Sequence, residues 1–137
     1  MKNLFIKVTD ESSFFQSLSL TFLRVFAGAS MAFAHGMSKV PPSEKFVGYL
    51  SGMGFPSPEI FAWSAGLAEF LGGIFLAIGL FTRASAFFVA VTMFVAAFVA
   101  HAADPFQERE LALMYFAVCL VFVVRGSSRF SVDRLFR

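Results

Sequence analysis

Four stretches of this chain are apolar for long enough, or nearly so, to cross about 30 Å of hydrocarbon at ~1.5 Å per residue. They are residues 17–38, 58–81, 84–102 and 108–125. The last is the weakest, because its uncharged part, 111–124, would cover only ~21 Å. Pro41 and Pro42 close the first stretch, and the turn at Phe81, Thr82 and Arg83 is so short that the second and third form an antiparallel hairpin. Residues 40–57 make the one long loop. Within it Phe46, Tyr49, Leu50 and Met53 recur at helical spacing opposite Glu44, Lys45 and Ser51, which predicts a short amphipathic helix at the membrane interface. The pattern predicts an all-α membrane protein: a bundle of four transmembrane helices with a short amphipathic helix in the first, outer loop. Residues 1–16 read as a cytoplasmic or interfacial tail, 17–125 as the membrane domain and 126–137 as a basic cytoplasmic tail.

At ~100° per residue the polar and small residues of each span share a face. Arg24, Gly28, Met31, His35 and Lys39 align on the first span, with Phe22, Phe26 and Phe33 opposite. On the second, Ala62, Ala65, Gly66, Glu69, Gly72 and Gly73 align, with Leu67, Leu71 and Ile78 opposite. Small residues let membrane helices approach closely, so these faces are expected to pack. Ala86, Ala90, Ala97 and His101 mark the third packed face, away from Phe87, Phe94 and Phe98. Glu110, Met114, Ala117 and Val121 mark the fourth, which sets Cys119 on the far side of that helix. Met31 and Met114 read as core filler.

Composition supports the membrane reading. Charged residues make up 15% of the chain, against roughly 25% in a soluble domain. The net charge of +2 and the lack of a basic cluster with interleaved aromatics argue against nucleic acid. A single cysteine excludes an internal disulfide and a Cys-rich metal site, and no metal site is expected. P-loop, GxGxxG, HExxH and GxSxG motifs are absent. The first apolar run follows Asp10 and Glu11 and contains Arg24, which a signal peptide would avoid, so it reads as a retained helix. Seven basic residues (Lys2, Lys7, Arg83, Arg125, Arg129, Arg134 and Arg137) fall on the side of the termini, against Lys39, Lys45 and Arg109 on the other. Both termini are therefore expected in the cytoplasm, with the chain in the inner membrane.

The ionisable residues within the spans are the candidate chemistry. Glu69 stands alone in the second span and Arg24 alone in the first. A charge at membrane depth has a partner or a function, and the two are expected to form an intramembrane ion pair. His35 and His101 lie near the outer ends of two outward-running helices, with Lys39 and Glu110 at the same level. These residues predict a polar column open to the outside and roofed by the loop, with Phe46, Tyr49 and Met53 facing in.

The same residues carry a resemblance. Leu23-Arg24, Gly28 and His35-Gly36-x-x-Lys39 on the first span resemble the DoxX family of small bacterial and archaeal membrane proteins. Glu69-x-x-Gly72-Gly73, Gly79-Leu80-x-Thr82-Arg83, His101 and Gly126-x-x-x-x-Ser131-x-Asp133 continue it, over roughly residues 17 to 134. The resemblance implies a four-helix membrane bundle and a link to redox chemistry. Some relatives are subunits of thiosulfate:quinone oxidoreductase, and others are tied to thiol or quinone stress. Family membership alone fixes no activity.

Two main readings follow. In the first, the chain is a quinone-linked or thiol-redox-associated subunit. His35, Lys39, Glu69, His101 and Glu110 would line a quinone site, with a donor for each carbonyl oxygen and a proton source nearby. Axial haem ligation by His35 and His101 is a weaker variant. In the second, the chain is a non-catalytic scaffold or assembly factor for a redox or stress complex, and the polar column holds the bundle together. A small-solute or proton pathway ranks third, since four short helices would have to oligomerise to build one. No catalytic residue is assigned. The expected partners are the lipid bilayer, a redox protein and a second copy of the chain.

Overall fold

The computed structural model describes residues 13–136, and every regular element among them is helical. Helix α1, Phe14–Ser30, starts at a capping box in which the Ser13 and Gln16 side chains each accept the other's backbone N–H. The rod then continues through a π turn, Met31–Gly36, and a 3-10 turn, Met37–Lys39. Helix α2, Glu44–Gly52, is capped by Ser43, whose hydroxyl accepts the Phe46 N–H. Helix α3, Pro58–Ile78, has proline in its first turn, where a missing N–H costs nothing, and ends at Gly79 with φ +74°. Helix α4, Thr82–Val95, runs on through a second π turn, Ala96–Ala100. Helix α5, Phe106–Arg125, precedes a final 3-10 turn, Val132–Phe136.

Three of these rods, Phe14–Lys39, Pro58–Ile78 and Thr82–Ala100, are long and apolar enough to cross a membrane. Helix α5 carries Glu108, Arg109, Glu110 and Arg125 near its ends and is less apolar. It packs along α4 all the same, so that Cys119 and Phe122 join Met31, Leu76, Ala86, Val89, Ala90 and Met93 in one buried core. Phe22, Phe26, Phe33, Phe87, Phe94 and Phe98 point outward. A soluble monomer does not carry so continuous an apolar surface, whereas lipid covers it without cost.

Glycine sets how closely α1 and α3 approach. A Cβ on Gly28 would come within 2.5 Å of the Gly73 carbonyl oxygen and the Ala77 nitrogen. One on Gly66 would come within 2.5 Å of the Lys39 carbonyl oxygen. The backbones therefore touch along the rod, as the small-residue stripes imply. Buried Arg24, Gly28 and Met31 on α1, buried Ala62, Gly66, Glu69, Gly72 and Gly73 on α3, and buried Ala86, Ala90 and Ala97 on the α4 rod lie on the expected faces.

Two faces differ from expectation. On α5 the packed stripe is Ala112, Tyr115, Phe116, Cys119, Phe122 and Val123, while Met114 and Val121 are exposed. Both sides of α5 are apolar, and hydropathy does not separate a lipid face from a protein face. On α2, Leu50 is buried and Tyr49 is exposed, whereas Phe46 and Met53 are half-buried.

The chain segment after α5 folds back under the rods. Asp133 N–H donates to the Gly79 carbonyl at 2.8 Å, and Ser128 and Thr21 share a hydroxyl hydrogen bond of 2.6 Å. Residues 1–12, which include most of the expected first tail, lie outside the described residues, while Phe14, Phe15 and Gln16 are already helical.

Candidate functional site: the Lys39–Glu69 centre

Glu69 is buried, and its partner is Lys39 rather than Arg24. The Lys39 ammonium donates to Glu69 Oε2 at 2.7 Å and to Oε1 at 2.9 Å. The expected Arg24–Glu69 pair is corrected by helix register. Gly28 of α1 meets Gly73 and Ala77, so Arg24, one turn earlier, lies against Gly79. Gly79 is ~15 Å along the chain axis from Glu69 at ~1.5 Å per residue. Lys39 arrives from the other direction, because Gly36 packs on the backbone of Glu69 and Phe70. Helix α1 leaves its α geometry here. The π turn Met31–Gly36 holds more residues per turn and changes the phase at which the 3-10 turn presents Lys39.

The pair is asymmetric. The Glu69 side chain is 4% exposed and that of Lys39 is 30% exposed. The carboxylate is sealed between helices, whereas the lysine starts opposite Gly66, nearer the loop, and its stem crosses the α1–α3 contact to reach the carboxylate. The Phe46 ring of α2 lies 5.6 Å from the ammonium, a cation–π contact that places the amphipathic helix over the pair. Both carboxylate oxygens are engaged, so the pair crosslinks α1 to α3 by charge-assisted hydrogen bonds.

Arg24 serves the opposite end of the rods. Its guanidinium is buried, and Nη2 donates to the Phe130 carbonyl at 2.7 Å. Nε and Nη1 are buried and, among the described residues, have no hydrogen-bond partner. Asp133 lies within electrostatic reach and completes this second cluster. Its carboxylate accepts the Phe81 N–H at 2.7 Å and the Thr82 N–H at 3.0 Å. It thereby caps α4 from outside the helix, where the helix dipole favours an anion. Burial pushes the Asp133 carboxyl up, but the bonds from Thr82 and Phe81 and the charge of Arg24 outweigh it and hold the group below its ordinary value. Phe81 sits at φ +46°, a costly conformation for an aromatic residue, and Asp133 holds its N–H. Arg83 adds a bond to the Val124 carbonyl at 3.0 Å and packs on Gly126.

The histidines separate. His35 is half-buried, and its ring meets Tyr115 of α5 edge-on at 5.5 Å. His101 turns to its own loop, where Nδ1 lies 2.7 Å from Asp104 Oδ2 and both side chains are partly exposed. The π turn Ala96–Ala100 slips the helical phase just before His101, so the face shared with Ala97 is not continued. Glu110 is exposed on α5 and forms no salt bridge with Lys39, whose ammonium is on Glu69. Of the five candidate ligand residues, the structure joins Lys39 and Glu69, leaves His35 with Tyr115, and sets His101 and Glu110 apart.

Asp133 and Tyr115 are members of these clusters to which the sequence reading gave no role. Asp133 lies in the motif Ser131-x-Asp133, and Thr82 could have marked a helix start in need of an acceptor. Tyr115 offered no such signal, since either face of α5 could have packed.

The model of the DoxX family matches residues 19–102. An uncharacterised protein of Haemophilus influenzae is 35% identical over 127 residues, which covers 85% of this chain and 90% of its own. No solved structure matches.

Proposed function

The chain belongs to the DoxX family, and on that footing we propose that it is a four-span inner-membrane protein with cytoplasmic termini that serves as a non-catalytic subunit or assembly factor of a redox or stress complex. The orientation rests on the seven-to-three bias of basic residues. The fourth span is α5, which lies along α4 and ends at the same side as the start of α1. Its short apolar run is compensated if Glu110 and Arg125 reach for the interfaces.

One observation carries the scaffold reading: the buried charges are committed to other parts of the fold. Glu69 is held at both oxygens by Lys39, and Arg24 is held by Phe130 and faces Asp133. Each set ties one end of the rods together. The donors do not fit a quinone clasped between two histidines, because His101 is engaged with Asp104 and the lysine with Glu69. Nor do the contacts of His35 and His101 fit a pair of axial haem ligands.

A redox ligand role for the smaller set His35, Lys39, Glu69 and Tyr115 is the second reading. It is favoured by the partial exposure of Lys39 beneath Phe46. The two readings part on one variant. Replacing both members of a buried ion pair by apolar residues of similar size is often neutral for the fold. Lys39→Met/Glu69→Leu should therefore keep the assembly role and abolish any ligand chemistry. The tagged chain would be purified from its native membranes, its redox partner identified and quantified by mass spectrometry, and its quinone content measured by extraction. Partner recovery within about twofold of the parent and no stoichiometric quinone are expected. Stoichiometric quinone in the parent that disappears in the double variant would overturn the scaffold reading.

A further inference from the structure

We propose that the cavity between the start of α1 and the segment after α5 binds the phosphate of an anionic lipid headgroup. The cavity has a volume of about 420 Å³, and Arg125, Arg129, Arg134, Ser127 and Ser128 line it. That volume lies within the usual range for a small-ligand site. Three arginines line one space, and among the described residues no carboxylate does; Arg134 Nη1 lies 3.4 Å from the Arg129 carbonyl. Among the described residues none of the three arginines forms a salt bridge. Asp133, adjacent to Arg134 in sequence, has its oxygens on the N–H groups of Phe81 and Thr82. Like charges gathered without a counter-charge repel, and a phosphate removes the repulsion while accepting forked bonds from each guanidinium.

The surroundings favour a lipid over free phosphate. The cavity is at the end of the rods where α1 begins and α5 finishes, the level of a headgroup region if the rods cross a bilayer. Apolar side chains flank it. Leu135 and Phe136, next to Arg134, are 81% and 77% exposed. Phe130 is exposed too and meets Phe14 edge-on at 5.9 Å. A headgroup in the cavity would leave its acyl chains beside these residues. Basic pockets on the cytoplasmic side of membrane proteins bind anionic lipids in this way, and the orientation proposed above places this one there.

Native mass spectrometry of the full chain in mild detergent tests the site, with phosphatidylglycerol, phosphatidylcholine and inorganic phosphate as separate probes. One phosphatidylglycerol should stay bound, and at least tenfold more tightly than phosphatidylcholine. Arg129→Gln/Arg134→Gln should weaken that binding tenfold or more without moving the melting temperature, since both side chains are exposed. Lys45→Gln, at the opposite end, should leave it unchanged. Equal retention of the two lipids, or an unaltered Arg129→Gln/Arg134→Gln variant, would overturn the proposal. Stabilisation by inorganic phosphate without lipid retention would overturn the lipid assignment. Retention that appears only after Asp10→Asn/Glu11→Gln would assign the cavity to the chain's own carboxylates and overturn it as well.

Discussion

Removing the two partners of the central ion pair one at a time should not cost the same. At the observed 2.7 Å, and with an effective dielectric constant of about 20, the gross attraction between Lys39 and Glu69 is ~6 kcal/mol. Desolvation offsets much of it, so the measurable quantity is the cost of leaving one charge behind. Lys39→Met strands the Glu69 carboxylate, whose side chain is 4% exposed, between α1 and α3. A buried charge deprived of its partner costs ~3 kcal/mol or more. Glu69→Gln strands an ammonium that is already 30% exposed and has a long stem with which to reach water. That variant should lose less, ~1.5–3 kcal/mol, the range of a lost hydrogen bond to a charged group. Lys39→Met/Glu69→Leu removes both charges and should recover most of the loss. Melting in detergent, followed by tryptophan fluorescence and circular dichroism, orders the four proteins. The parent and the double variant should melt highest, then Glu69→Gln, then Lys39→Met. If Lys39→Met melts at or above Glu69→Gln, the asymmetry drawn from burial is wrong. If Arg24→Gln couples to Glu69→Gln while Lys39→Met does not, the register of α1 on α3 is wrong.

Three further outcomes follow from the fold. Gly66→Ala should destabilise by ~1–3 kcal/mol, because its Cβ would meet the Lys39 carbonyl; Gly48→Ala, with open space around its Cβ, should be neutral or stabilise α2 by up to ~1 kcal/mol, both read by detergent melting. Asp133→Asn should cost ~1 kcal/mol at neutral pH through weaker capping of α4. The Asp133 carboxyl is held below its ordinary value in the fold. Its contribution is therefore complete above the unfolded value of about 4 and fades as pH falls through the lower folded value, so the parent and Asp133→Asn melting curves should converge on acidification. For topology, in a Cys119→Ala background, a cysteine at Lys45 should react with an impermeant reagent from outside intact cells and one at Arg129 should not; the reverse pattern would invert the orientation and remove the cytoplasmic setting of the arginine cavity.

The sequence by itself determined the helical rods and most of their inward faces. Small residues at helical spacing mark a packed face in lipid, because only they let backbones touch, and Gly28, Gly66 and Gly73 do so here. It also marked Lys39, Glu69, Arg24 and Asp133 as unusual, by charge or by motif. Tertiary structure alone decided which of them meet. A helix's period gives the direction of a side chain, but not the depth at which its helix sits against the next. A shift of about three turns, ~15 Å, between α1 and α3 exchanges Arg24 for Lys39 as the partner of Glu69. The two π turns added phase changes that a constant ~100° per residue cannot carry, and one of them precedes His101. The face of α5 was undetermined for a different reason. Met114 and Val121 suit lipid as well as Cys119 and Phe122 suit the core, so only contact with α4 could choose between the two stripes.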